Sequence, residues 1–293
     1  MTRANIRAFF DKPTNTVSYL VWDREGGTGV VIDPVLDFDP ASGTVSVNSV
    51  EEILEAVEEL NLTVPYVLET HAHADHLSGA PMIKEKTGAK IGIGEHIKDV
   101  QQIFRPVFNA DDMAADGGDF DRLFADGDSF DAGDLSFEVI HTPGHTPACV
   151  SYKVGDDVFV GDTIFMPDFG TARADFPGGD ARTLFRSIKR LLSLPPETRL
   201  HLCHDYKAEG RDQYRWDTTV ADERKRNIHV HDGVSEDEFV AMRTSRDATL
   251  SAPRLLLPSI QTNIRAGNLP PAEDNGVRYL KIPVKPVRVS EGA

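Results

Sequence analysis

Thr70-His71-Ala72-His73-Ala74-Asp75-His76 packs three imidazoles and a carboxylate into seven residues. The flanks decide how that stretch is read. Val64–Glu69, before it, is rich in apolar and β-branched residues and predicts a buried strand. Ala80–Lys86, after it, predicts a helix with Pro81 in its first turn, where the missing N–H would have no partner anyway. The ligand-type side chains therefore crowd into one strand-to-helix loop. Imidazole together with carboxylate suits zinc, iron or manganese rather than calcium, which takes oxygen ligands. A solvated polar loop has no reason to concentrate donors this way.

Three later stretches add donors of the same kind, each just past a predicted strand. His145 lies in His141-Thr142-Pro143-Gly144-His145-Thr146, after the strand Leu135–His141. Asp162 follows Val158–Gly161, and His204 follows Leu200–Leu202. A lone histidine after a strand is ordinarily satisfied by backbone. Four donor sites at strand ends read instead as loops converging on one metal-binding mouth.

The rest of the chain supplies the frame. Ile6–Phe10, Val17–Trp22 and Gly29–Asp33 predict strands, and Val35–Asn48 reads as a loop open to substrate contacts. Ser49 is placed to cap a helix over Val50–Leu60, where Ile53, Leu54, Val57 and Leu60 share a face. Lys90–Ile93 predicts a strand. The region near 109–128 reads as a surface insertion, because Asn109–Asp121 is rich in Asp and Gly; its carboxylates lack the ordered spacing of a calcium loop. Val150–Val154 and Val158–Gly161 pair across a Gly155-Asp156-Asp157 turn. Helices are predicted from Asp180 to Leu192, over Val220–Asn227 and over Ser235–Thr244, the last with a Ser235/Glu238 capping box. Pro-rich Ala252–Val289 predicts an irregular wrap, within a C-terminal extension at 207–293. Strands, a helix, then strands and helices again predict an α/β fold, an αββα sandwich of two packed sheets with helices outside, spanning 1–293 as one domain.

Composition narrows the function classes. The 293 residues carry a formal charge of −16, which argues against a nucleic-acid or anionic-membrane surface and obliges an anionic substrate to find a local basic patch. No apolar run approaches the roughly 20 residues of a spanning helix. The N-terminus lacks an apolar signal core, and two cysteines, Cys149 and Cys203, build no disulfide framework; the expected compartment is the cytoplasm.

The His-x-His-x-Asp-His signature, the Gly-His-Thr loop, the Gly-Asp pair and the late His resemble the metallo-β-lactamase fold over about residues 60–206. That resemblance implies one metal position drawing on His71, His73, His145 and Asp162, and a second drawing on Asp75, His76, His204 and a bridging Asp162. Narrower features select a branch. His141–Cys149, Gly161-Asp162-Thr163, Ala172–Phe176 and His204-Asp205-Tyr206 resemble the persulfide dioxygenases. The run Gly170-Thr171-Ala172-Arg173-Ala174-Asp175-Phe176-Pro177-Gly178-Gly179 and the Leu-Pro-Ser-Ile-Gln…Asn-Ile-Arg-Ala-Gly tail resemble most the longer bacterial β-lactamase-hydrolase-like branch.

This resemblance implies oxidation of glutathione persulfide, or a related small persulfide, by O₂ to sulfite and thiol in sulfide detoxification. It implies one Fe(II) per chain on His71, His145 and Asp162, with His73, Asp75, His76 and His204 hydrogen-bonding around it. Tyr206 and His204 become catalytic candidates, and Arg173 with Asp175 the holder of the glutathione moiety. A homodimer or higher homo-oligomer is the assembly considered. The rival reading is a dinuclear hydrolase of the glyoxalase II-like thioesterase type, since all seven ligand-type residues are kept. Two departures stand out: Ala172 replaces the Gly of shorter members, and the chain runs well past Tyr206.

Overall fold

The computed structural model describes residues 3–284. Two six-stranded sheets pack face to face. The first orders Asn5–Asp11, Thr16–Trp22, Thr28–Ile32, Thr63–Leu68, Lys90–Gly94 and Arg122–Phe124; its first three strands form an antiparallel meander and the rest run parallel. The second orders Ser129–Ala132, Leu135–His141, Val150–Val154, Asp157–Phe159, Arg199–His201 and Asp217–Thr219, antiparallel except for the Asp157–Phe159/Arg199–His201 pair.

The period-2 pattern of the strands sets the layers. In Thr16–Trp22, Val17, Tyr19 and Val21 point between the sheets, against Phe137, Val139, Tyr152 and Phe159, while Leu20 points out to the helices. Asn48–Glu59, Ala80–Thr87, Ile97–Phe108 and Leu256–Asn263 cover the outer face of the first sheet; Ala181–Leu191 and Glu236–Asp247 cover the second. Each such fully buried apolar side chain contributes about 1.5–3 kcal/mol. The expected αββα layering is therefore present. No helix among the described residues is long and apolar enough to cross a membrane.

Several local expectations are corrected. Ser49 does not cap its helix: the helix starts at Asn48 after Val47, and the Ser49 amide and hydroxyl both bond Asp37. The expected loop Val35–Asn48 holds two strands, Val35–Asp39 and Thr44–Ser46, which form a three-stranded sheet with Leu77–Ser78 behind the metal loop. The expected surface insertion near 109–128 is instead partly built into the core. Ala110, Met113 and Phe120 are buried, and Arg122–Phe124 completes the first sheet. Its carboxylates answer separate partners, Asp112 with Arg265, Asp119 with Gln101, and Asp121 with Lys84. The expected irregular wrap contains the helix Leu256–Asn263, whose Ile260 is fully buried; the part of the wrap from 285 to 289 lies outside the described residues.

Candidate metal centre

Every donor loop leaves the C-terminal end of a strand on the same edge of the sandwich. Asp33 ends one strand with φ 49°, and its carboxylate turns back to accept the Thr70 amide at 2.7 Å and the Thr70 hydroxyl at 2.8 Å. That fixes the start of the histidine loop. Two glycines let the other loops close in. A Cβ on Gly144 (φ 134°) would sit 2.3 Å from the Leu184 backbone, and one on Gly161 (φ 52°) 2.6 Å from the Thr70 hydroxyl. Only glycine tolerates both the dihedrals and the approach.

His71, His145 and Asp162 come together with one donor atom of each within 4.8 Å of the others. The Asp162 Oδ2 atom is 3.9 Å from His71 Nε2 and 3.6 Å from His145 Nε2. On its other side Oδ1 is 3.3 Å from His204 Nε2, which is 3.5 Å from Asp75 Oδ2. Second partners aim the rings. His71 Nδ1 donates to the Thr70 hydroxyl at 3.0 Å, which itself donates to Asp33. His145 Nδ1 donates to the Arg173 carbonyl at 2.8 Å, and His204 Nδ1 to the Asn15 carbonyl at 3.1 Å. Each ring thus presents Nε2 inward, the arrangement by which outer hydrogen bonds set tautomer and direction in metal sites.

His73 and His76 are fully buried as well. His73 Nε2 donates to Asp33 at 3.0 Å, which leaves Nδ1 unpartnered; His76 Nδ1 is 3.2 Å from Asp75, which leaves Nε2 unpartnered. With His71 Nε2, Asp162 Oδ1 and His204 Nε2, five buried donor atoms have no hydrogen-bond partner. Each such atom costs about 1–3 kcal/mol. Their convergence fits a cation, and the donor set fits one that accepts nitrogen and carboxylate oxygen together.

Electrostatics agree. Burial, helped by His73 and His145, holds His71 well below its ordinary value, so the ring stays neutral, the form in which an imidazole can bind a metal. Burial also opposes charge on His204 and His73, yet Asp162 and Asp75 raise the first and Asp33 raises the second. An entering cation would release those protons. The cysteines are packing residues: burial pushes the Cys149 thiol up to about 12, and raises Cys203 as well.

A cavity of about 360 Å³ opens over Asp162 and His145. Phe165, Phe169 and Tyr206 form an aromatic wall, with the Tyr206 ring stacked 5.4 Å from that of His204. Arg173, Arg246 and Arg254 also line it.

Residues 11–204 match the metallo-beta-lactamase superfamily. The chain belongs to that superfamily. It is 53% identical to a Burkholderia pseudomallei protein named "probable metallo-hydrolase", over 95% of this chain and 98% of that one. It is 49% identical to a Xylella fastidiosa beta-lactamase hydrolase-like protein, over 95% of this chain and 64% of that one. Human mitochondrial persulfide dioxygenase ETHE1 is 28% identical, over 89% and 88% of the two chains. Among solved structures, ETHE1 from Myxococcus xanthus superposes with a TM-score of 0.71 at 31% identity, over 90% of this chain and all of that one.

The superfamily match stops at His204, and the residues beyond it shape the mouth. Arg173 does not hold a free fork. Its Nε and Nη2 bond Asp175 at 2.6 and 2.8 Å, and Nη1 donates to the Ser251 carbonyl at 2.8 Å. Three of its five N–H groups are therefore occupied and two remain. Asp175 orients the guanidinium and does not line the cavity. Buried Arg243 pairs with Asp247, which accepts the Ala174 amide at 2.9 Å and so fixes the segment whose Arg173 carbonyl aims His145. The sequence reading missed Asp33, Arg246 and Arg254. The Asp-Pro pair directly after a buried strand was a signal for the first. Nothing in composition marked the two arginines.

Proposed function

We propose that this enzyme is a persulfide dioxygenase with one iron(II) held by His71, His145 and Asp162. The observation that carries the reading is the pairing of that two-His, one-carboxylate set with a cavity whose rim bears Arg173, Arg246 and Arg254. The similarity to human persulfide dioxygenase supports it. Bound there, iron(II) supplies the redox activity that chemistry with O₂ requires and zinc lacks. The chain's own residues do the rest. Asp162 brings the one formal negative charge of the trio. Phe165 and Phe169 give the stem of a thiol carrier an apolar wall. The three arginines draw in a carboxylate-bearing carrier, of which glutathione is the one we favour, against a net charge of −16. Tyr206, against His204, offers an O–H donor at the reacting end. The compartment in this reading is the cytoplasm, where glutathione is abundant and thiols stay reduced.

A second reading draws on the unpartnered His76 Nε2 and His204 Nε2 beside Asp75: a second ion there, bridged by Asp162, would make a dinuclear hydrolase. One sample separates the two. Protein purified without oxygen is assayed for metal content and for O₂ uptake with glutathione persulfide. One iron per chain with sulfite formation supports the dioxygenase. Two tightly held zinc ions, fast thioester hydrolysis and no O₂ uptake overturn it.

A further inference from the structure

We propose that Asn263, at the end of the helix Leu256–Asn263, is a positioning residue that holds the histidine loop in its metal-binding form. The inference rests on the reading of that loop as a metal site. Residues 70–76 have no regular secondary structure and are almost wholly buried. Backbone carbonyls in such a segment cannot be left to water and must find donors. The Asn263 side-chain amide donates to the His73 carbonyl at 2.9 Å and to the His76 carbonyl at 2.8 Å. Its Oδ1 accepts the Ser78 amide at 2.9 Å, at the point where the loop rejoins a strand. One side chain, 4% exposed, thus spans the whole second half of the loop.

The two carbonyls bracket Asp75, the carboxylate that faces His204 Nε2. They belong to His73, whose Nδ1 lacks a partner, and His76, whose Nε2 lacks one. A shift of either carbonyl would turn a donor away from the centre.

Asn263 is itself held firmly enough to act this way. Gln101 donates to the Ile264 carbonyl at 2.8 Å, and Arg265 pairs with Asp112 at 2.6 Å. Ile260 and Ile264 enter the same core as Ile83 and Val50. Just beyond, the chain presses onto the loop's exit: a Cβ on Gly267 (φ 82°) would lie 2.7 Å from Pro81 Cδ and 3.0 Å from the Ser78 carbonyl. Asn263, Ile260, Ile264, Arg265 and Gly267 all lie outside residues 11–204, the part that matches the superfamily. The segment after residue 204 therefore completes the metal centre without supplying a ligand.

The test uses cobalt(II) as the probe metal, titrated into metal-free protein against a chelating competitor, with the visible cobalt absorption recorded at each step. Asn263→Ala is compared with wild type and with Gln101→Ala, which loosens the same helix without touching the loop. Loss of an outer hydrogen-bonding partner predicts about 10–100-fold weaker cobalt binding in Asn263→Ala, with an altered absorption band. Asn263→Ser can serve at most one carbonyl and should fall between alanine and wild type; it carries the comparison if the alanine variant does not fold. Gln101→Ala should melt earlier yet bind cobalt nearly as wild type does. The proposal is overturned if Asn263→Ala and Asn263→Ser bind cobalt like wild type. It is equally overturned if Gln101→Ala weakens binding as much, because docking of the helix alone would then be responsible. Wild-type protein that binds no cobalt would instead refute the metal reading beneath it.

Discussion

Arg173→Ala tests the proposed role of this residue in substrate recognition apart from everything else it does. Its backbone carbonyl, which aims His145, survives the substitution, so metal content and kcat should hold. The Arg173–Asp175 pair has side chains 21% and 41% exposed, and a pair so wetted contributes about 0–1 kcal/mol. For 293 residues the ion pair accounts for at most roughly 2 °C of Tm, and loss of the bond to the Ser251 carbonyl adds to the fall. Two N–H groups are left over for a carrier carboxylate. A hydrogen bond to a charged group is worth about 1.5–3 kcal/mol, so kcat/KM should drop roughly 10–150-fold, nearly all of it through KM. Arg173→Lys should recover only part, since a point charge replaces a planar fork. Asp175→Asn leaves the charge but loosens its aim, and should cost less than Arg173→Ala. Steady-state O₂ uptake against glutathione persulfide reads all three. A kcat/KM for Arg173→Ala within about twofold of wild type, less than one ordinary hydrogen bond, would reduce the pair to surface decoration.

The same geometry sets three further outcomes. Asp162→Ala should lose both metal and activity, whereas His204→Ala should keep most of its iron while losing roughly 10–100-fold in affinity or activity; equal metal loss in both would favour the dinuclear reading. Gly144→Ala drives a Cβ into the Leu184 backbone at an unfavourable dihedral and should cost about 2–6 kcal/mol, with His145 displaced. An unchanged Tm and chelator-resistant metal would contradict that. Burial pushes the fully buried Glu223 carboxyl up to about 8 from its ordinary 4.5, and its Oε1 is unpartnered. The folded state then keeps a proton that the unfolded state releases, so stability falls as pH rises from about 4.5 to about 8, by as much as roughly 4 kcal/mol. Glu223→Gln should melt higher than wild type at pH 8 and lose that advantage at pH 5; an equal gap at both would refute the assignment.

What could be read from sequence was whatever is local. The apolar runs that stop at Leu68, His141, Phe159 and His201 mark strand ends, and donors placed directly after them fall on one edge once the strands pair. Position after strands therefore gathered the loop 70–76 with His145, Asp162 and His204, while the choice of His71 within that loop came from the resemblance. The misses have other causes. Ile97–Phe108 contains Pro106, which reads as a breaker but sits near the end of the helix, just before Asn109 closes it at φ 49°. Val35–Asp39 is acidic and short, and becomes a strand only because Leu77–Ser78 and Thr44–Ser46 flank it. Ser49 had the right residue type for a cap, but Asp37 took its hydroxyl. Asn263 is linked to His73 across 190 positions, and no local pattern encodes such a contact.

These distant contacts also resolve an apparent conflict of charge. A chain of net −16 should repel an anionic carrier, yet at physiological ionic strength a surface charge is screened beyond about 8 Å. What an approaching carboxylate meets near the mouth is the local set, Arg173, Arg246 and Arg254, around a wall with few polar atoms. Arg173 is partly neutralised by Asp175, whereas Arg246 and Arg254 stand exposed on the rim. Those two come from the segment after residue 204, which also supplies Asp247 behind the Arg173 loop and Asn263 behind the histidine loop. The part of the chain that matches the superfamily holds the donors; the segment after residue 204 sets their backbone and the charge at their entrance. In the dioxygenase reading, choice of carrier is therefore written mainly in that segment. Exchanging it between relatives should change KM for the carrier before it changes the reaction.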